Sequence, residues 1–256
     1  MKYDLPLASP LINSAGSLGF SPDPRSMLDL SRLGAFITNP ISMRPRPPAS
    51  DKRLLTFPGG YLLHTGFPNP GFSKVIRSYA SRWGRSPLPV WVHLLAEDPD
   101  AVASMIKRLE MVDGVGCIEL GIPPTNDKHL VCTLVESAIG ELPVVVRLPL
   151  EHATLLTPAL KELPIAAISL APPYGTLPDP GGTLVNGRLF GPAVFPLALK
   201  VLQEVLLSGL PVIAAGGIST ANHVKTMLSA GAFAVQLDAI LWCGKIPEAP
   251  EILPRG

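Results

Sequence analysis

Three features of the chain carry groups that could do chemistry. The di-glycine Gly216-Gly217 stands between an apolar run, Pro211 to Ala215, and a segment that Ser219 or Thr220 can cap as a helix. Glycines between the end of a strand and the start of a helix let backbone N–H groups approach an anion. The helix dipole adds to the attraction, so the natural ligand is a phosphate. A plain tight turn is the alternative. Arg147 lies inside the apolar run VVVRL, and His93 lies inside VWVHLL. The first would carry a cation, the second an acid–base group, on buried strands. Each has a plainer reading: an arginine paired with a carboxylate such as Glu119, and a hydrogen-bonded core histidine. Cys117 and Cys132 read as core packing, and nothing beside Cys243 marks it as an activated thiol. The three cysteines are too few and too scattered for a disulfide framework or a zinc site, so no metal is expected.

The elements that position these groups follow from punctuation and period. Pro10 to Asn13 reads as a strand, followed by the small-residue turn Ser14-Ala15-Gly16. Asp23 or Pro24 opens a helix that Gly34 ends. Ala35 to Thr38 is the second strand, and residues 39–61 form a long irregular loop with the basic, proline-rich run SMRPRPPASDKRLL. Its charges, Arg44, Arg46, Lys52 and Arg53, read as a solvated face or as a gate over a substrate. Strands at Val90 to Leu95, Gly116 to Ile122, Pro143 to Leu148 and Ile165 to Leu170 alternate with helices at Pro70 to Trp83, Asp98 to Leu109, Asp127 to Ile139 and near Leu155 to Lys161. A Gly/Pro loop spans 171–191, a helix spans 192–207, and Gly231 ends the helix after the di-glycine. Ala232 to Leu237 closes the series as a buried strand. Eight strands alternating with seven helices predict an α/β fold, a single TIM (β/α)8 barrel over residues 1–256, with a doubly wound open sheet as the runner-up. The tail after Ile240 leaves little room for an eighth helix. It is expected to be short or missing, with the seam beside it covered by another copy in a homo-oligomer.

Composition excludes several classes. Of 256 residues, 47% are hydrophobic and 16% charged, so much of the chain must be inside. A net charge of +1 gives no general field for nucleic acid or an anionic membrane. No run is long and uncharged enough to span a bilayer, and the first residues lack a secretory pattern, so a soluble cytoplasmic protein acting on a small molecule is expected.

The residues after each strand resemble the flavin-dependent dihydroorotate dehydrogenase family over nearly the whole chain. The likeness is carried in order by PLINSAG, GAFITN with its PRP loop, TGFPNPG, PVWVHLLAEDPD, CIELGIPPTN, PVVVRLP, GRLFGPAVFPLAL, VIAAGGIST and GAFAVQL. It implies an FMN-binding barrel, the flavin lying over the C-terminal strand ends and its phosphate on the last two strand-to-helix turns. By that resemblance Ser14, Ala15 and Gly16 leave room for the ring, Arg147 replaces a lysine at the flavin edge, and Gly191, Gly216 and Gly217 face the phosphate.

Other positions depart from the family pattern. Asn39 stands where the family has a lysine, Leu63 and Gly121 where it has asparagines, Pro124 where it has the catalytic cysteine or serine, and Ala171 or Pro172 where it has another asparagine. Asn126 alone survives of the substrate set. Asp238-Ala239 replaces the Gly-Thr pair that holds the phosphate. Missing hydrogen-bond partners for a flat pyrimidine cost about 1–3 kcal/mol each, and a proline cannot abstract a proton. The expected function is therefore a divergent FMN-dependent oxidoreductase that does not act on dihydroorotate, with His93 the only candidate acid–base group. The alternatives are a flavin-free binding or accessory barrel and an enzyme of phosphorylated metabolites.

Overall fold

The computed structural model describes residues 5–50 and 53–249; Lys52 and the last residues of the tail lie outside them. Eight parallel strands form the central sheet: β1 (Leu11–Asn13), β2 (Phe36–Ile37), β5 (Val90–Leu95), β6 (Val115–Gly121), β7 (Val144–Pro149), β8 (Ala167–Ala171), β11 (Val212–Ala215) and β12 (Ala234–Leu237). Their order is β1-β12-β11-β8-β7-β6-β5-β2, and a parallel bridge from Ile12 to Ala35 brings the two ends together. The expected barrel is thus the observed one, with its strand C-termini at one mouth.

Both faces of these strands are buried, so the period of two is hidden in the sequence. It reappears in space. Ile12, Ile37, Trp91, Cys117, Val145, Ala167, Ile213 and Ala234, one from each strand, fill the barrel interior as an apolar layer. The alternate residues pack outward against the helices α1 (Phe72–Trp83), α2 (Pro99–Leu109), α3 (Lys128–Ala138), α4 (Leu150–Leu160), α5 (Phe195–Leu206) and α6 (Ala221–Ser229). Asp98, Asp127 and Thr220 cap α2, α3 and α6 through their side chains. The last helix, α7 (Ala239–Trp242), has four residues, short as expected.

Three expectations need correction. No helix runs from Asp23 to Gly34; a single 3-10 turn, Leu30–Arg32, remains. Asp23, Ser26 and Asp29 each accept a hydrogen bond from the backbone N–H two residues on, and these local bonds compete with helical ones. The fourth helix begins at Leu150, directly on the strand end, rather than near Leu155. The two long loops are not irregular: β3 (Arg53–Phe57) and β4 (Gly60–His64) form one hairpin, β9 (Tyr174–Pro178) and β10 (Leu184–Phe190) another. The two hairpins join through β4 and β10 into a four-stranded antiparallel sheet roofing the mouth.

The closing seam is held by a side chain. Asn13 Nδ2 donates to Ile37 O (2.7 Å), and Ile37 N donates back to Asn13 Oδ1 (2.8 Å), both fully buried. Asn13→Ala leaves a buried N–H and C=O of Ile37 without these partners. It is expected to lower stability by about 3 kcal/mol, read as a lower urea midpoint at unchanged slope.

Candidate functional site

One residue further along the inward face from the apolar layer, the barrel becomes polar. Glu119, from β6, is fully buried and binds side chains from four other strands. His93 Nδ1 on β5 lies 2.7 Å from its Oε2, and Ser169 Oγ on β8 donates to Oε1 at 2.7 Å. Gln236 Nε2 on β12 also donates to Oε1, and Arg147 Nη1 on β7 lies 3.4 Å from Oε2. Arg147 Nη1 then donates to the side-chain Oε1 of Gln236 and, through Nη2, Arg147 donates to Ser14 Oγ (2.9 Å) just beyond β1. Burial opposes the charge on Glu119, but the Arg147 guanidinium and the His93 hydrogen bond outweigh it, and its carboxyl is lowered to about 2. An ionised Glu119 can only accept, so His93 Nδ1 carries the hydrogen and Nε2 the lone pair. Burial, with the charges of Arg147 and Arg188, lowers the His93 titration despite Glu119, so the ring is neutral at pH 7. The paired-arginine and bonded-histidine readings thus describe both side chains, while each still lines the cavity above.

That cavity, about 390 Å³, lies between the polar layer and the roof sheet. Ser14, Ala15, Gly16, Leu63, His93, Arg147 and Asp238 among the expected site residues line it. Gly121 makes room for the imidazole, because a Cβ there would stand 2.6 Å from His93 Nε2. Pro124 is on the same wall. From the roof, Arg188 enters over the rings of Phe67 and Tyr174, at 4.9 and 5.0 Å. His64, on β4, and the ion-paired Arg46 and Glu97 stand at the rim.

The remaining expected residues lie elsewhere. Asn39 exchanges hydrogen bonds with the Gly19 backbone, and Asn126 Oδ1 is 2.8 Å from His152 Nδ1. Gly191, Gly216, Gly217 and Ala239 do not line the cavity. A Cβ on Gly217 would lie 2.5 Å from Phe195 N and 2.9 Å from Gly191 O, so the glycine turns abut one another. Four amides of the turns are engaged within the chain: Ala193 N with Gly59 O (3.1 Å), Val194 N with Gly191 O (3.0 Å), Ser219 N with His223 Nδ1 (3.3 Å), and Ala239 N with Asp238 Oδ1. The Asp238 carboxylate thus sits on an amide that a phosphate would need. Its other oxygen has no hydrogen-bond partner among the described residues. Burial raises its titration to about 6, against the Ala239 amide and the charge of Arg147. The buried carboxylate and the engaged Ala239 amide oppose a phosphate at this turn.

With this geometry in view, comparison with known proteins gives the ancestry. The sequence model of dihydroorotate dehydrogenase matches residues 3–136, and that of nitronate monooxygenase matches residues 189–252. The catalytic subunit of dihydroorotate dehydrogenase B (NAD(+)) from Desulforudis audaxviator is 30% identical over 254 residues, covering 90% of this chain and 82% of that protein. The chain belongs to the dihydroorotate dehydrogenase family. Dihydroorotate dehydrogenase A (fumarate) from Limosilactobacillus reuteri is 27% identical over 284 residues, with 98% and 91% covered. The Pelobacter propionicus catalytic subunit of the B enzyme is 27% identical, with 91% and 84% covered. Membership supports an oxidoreductase ancestry and, for the family at large, the flavin that the resemblance implies. Among the described residues no helix is long and apolar enough to cross a membrane, and no group of three His, Cys, Asp or Glu could hold a metal ion.

Glu119 and the unpartnered oxygen of Asp238 escaped the sequence reading as site groups. One polar residue in each otherwise apolar strand (His93, Glu119, Arg147, Ser169, Gln236) was the available signal. Glu119→Gln strips the charge that compensates Arg147, so it is expected to destabilise by about 3–5 kcal/mol, measured by chemical denaturation at pH 7. Asp238 behaves oppositely. Its folded titration lies above the unfolded one, so its protonated form is favoured in the fold and stability falls as pH rises from 3.8 to about 6. Asp238→Asn is therefore expected to raise Tm at pH 8, by up to about 3 kcal/mol in stability, and to leave it nearly unchanged at pH 4.

Proposed function

We propose that this protein is a divergent member of the dihydroorotate dehydrogenase family that works without FMN, does not oxidise dihydroorotate, and holds a different small molecule in the barrel mouth. The observation that carries this reading is the buried Asp238 carboxylate on the Ala239 amide. A second anion within about 4 Å of it would be repelled by about 4 kcal/mol. The same engaged amides weigh against a phosphorylated metabolite.

The dihydroorotate part of the proposal rests on the pyrimidine side. Leu63, Gly121, Pro124 and Ala171 line that wall and offer no polar side-chain atom to a flat ring. The acid–base group left is His93. Glu119 fixes its tautomer and would stabilise the imidazolium formed when Nε2 takes a proton from a bound ligand. Arg147, fixed by Glu119, Gln236 and Ser14, would hold negative charge that develops on the ligand.

A second reading keeps the flavin. It is favoured by the guanidinium of Arg147 beside Ser14, where the family's lysine would meet a flavin edge, and its chemistry would be hydride transfer. The absorption spectrum separates the two. Purified protein is expected to be colourless, to show no rise in Tm with added FMN, and to give no turnover of dihydroorotate with dye acceptors. A yellow protein that melts higher with FMN would establish the second reading instead.

A further inference from the structure

We propose that the cavity lined by Asp238, Phe190 and Trp242 is a binding site for a small organic ammonium ion. The inference rests on the flavin-free reading of the same cavity, and it adds the chemical class of the ligand.

The first observation is the unpartnered carboxylate oxygen. Asp238 is 3% exposed and lines the cavity, its Oδ1 is taken by the Ala239 amide, and its Oδ2 has no hydrogen-bond partner among the described residues. A buried carboxylate oxygen without a donor is unfavourable, and a protonated amine supplies both the donor and the compensating charge. The nearest cation of the polar layer, Arg147, is turned toward Glu119, Gln236 and Ser14. An ion pair with the chain's own arginine therefore does not answer the need.

The second observation is the aromatic lining of the same cavity. Phe190 and Trp242 both line the cavity with centroids 5.6 Å apart, and Tyr61 stacks on Phe190 at 5.5 Å. The Trp242 indole is fixed by its Nε1 donating to Ser17 O at 3.0 Å. Aromatic faces beside a carboxylate are the surroundings that attract an alkylammonium group, through ring quadrupole and charge together. The same cavity carries Arg188, whose Nε has no partner among the described residues. The cavity thus presents one carboxylate and one guanidinium, each with an unpartnered atom, and an ammonium group belongs at the carboxylate, Asp238.

The test uses the full-length protein at pH 8, with thermal shift and isothermal titration against benzylamine, butylamine and tetramethylammonium. Benzyl alcohol, butanol and FMN are the comparison probes. Amines are expected to raise Tm and their neutral counterparts to leave it unchanged. Asp238→Asn is expected to weaken amine binding about tenfold or more, and Trp242→Leu to weaken it several-fold with the fold retained by circular dichroism. Amines that bind no better than the alcohols, or that bind the Asp238→Asn variant equally well, would overturn this inference and leave the flavin-free reading standing. A shift with FMN alone would overturn both.

Discussion

A single carboxylate organises the barrel. Glu119 is buried at the centre of the interior and gathers hydrogen bonds or charge from β5, β7, β8 and β12, while its partner Arg147 extends the connection to Ser14 beyond β1. Bringing this ion out of water carries a large desolvation penalty, which only a full set of partners offsets. Partners drawn from four other strands also fix the register of those strands against β6, since slipping any of them by one residue would turn its polar side chain outward into the helix layer. The polar layer is at once the floor of the cavity and a lock on the fold beneath it.

On the proposed reading, the cavity differs from the pattern that the family resemblance implies in two ways. On the pyrimidine side polar groups are removed, and Gly121 in particular yields its volume to the His93 ring. At the phosphate side a group is added. Asp238 supplies internally the negative acceptor that a bound phosphate would have supplied from outside, and the surrounding amides turn to Gly59, Gly191 and His223.

Much of the barrel was legible because each strand is a short apolar run bounded by Gly, Pro or a capping Asp or Thr, as at Asp98, Asp127 and Thr220. The helix expected after Asp23 misled because apolar spacing through Met27, Leu28 and Leu30 was weighed above the capping tendency of Asp23, Ser26 and Asp29. The roof strands were hidden by prolines and by mixed exposure, and their pairing links segments with no local signal for each other. In the site, types were readable but geometry was not: Arg147 and His93 stood out and Glu119 was visible as a carboxylate that Arg147 could pair with, whereas its hold on His93, Ser169 and Gln236 at once was not. Asp238 was visible as an anomaly, and only its burial and its hold on the Ala239 amide gave the anomaly a direction.

The roof sheet has a kinetic consequence. Leu62 on β4 pairs with Leu189 on β10, so the two hairpins meet across half the length of the chain. Pairings that distant bear a large loop-closure entropy and gain little until the strands beneath are in place. The barrel can thus be complete while its canopy is still unfastened, and the mixed exposure of the roof strands puts the canopy toward the less stable end of the fold.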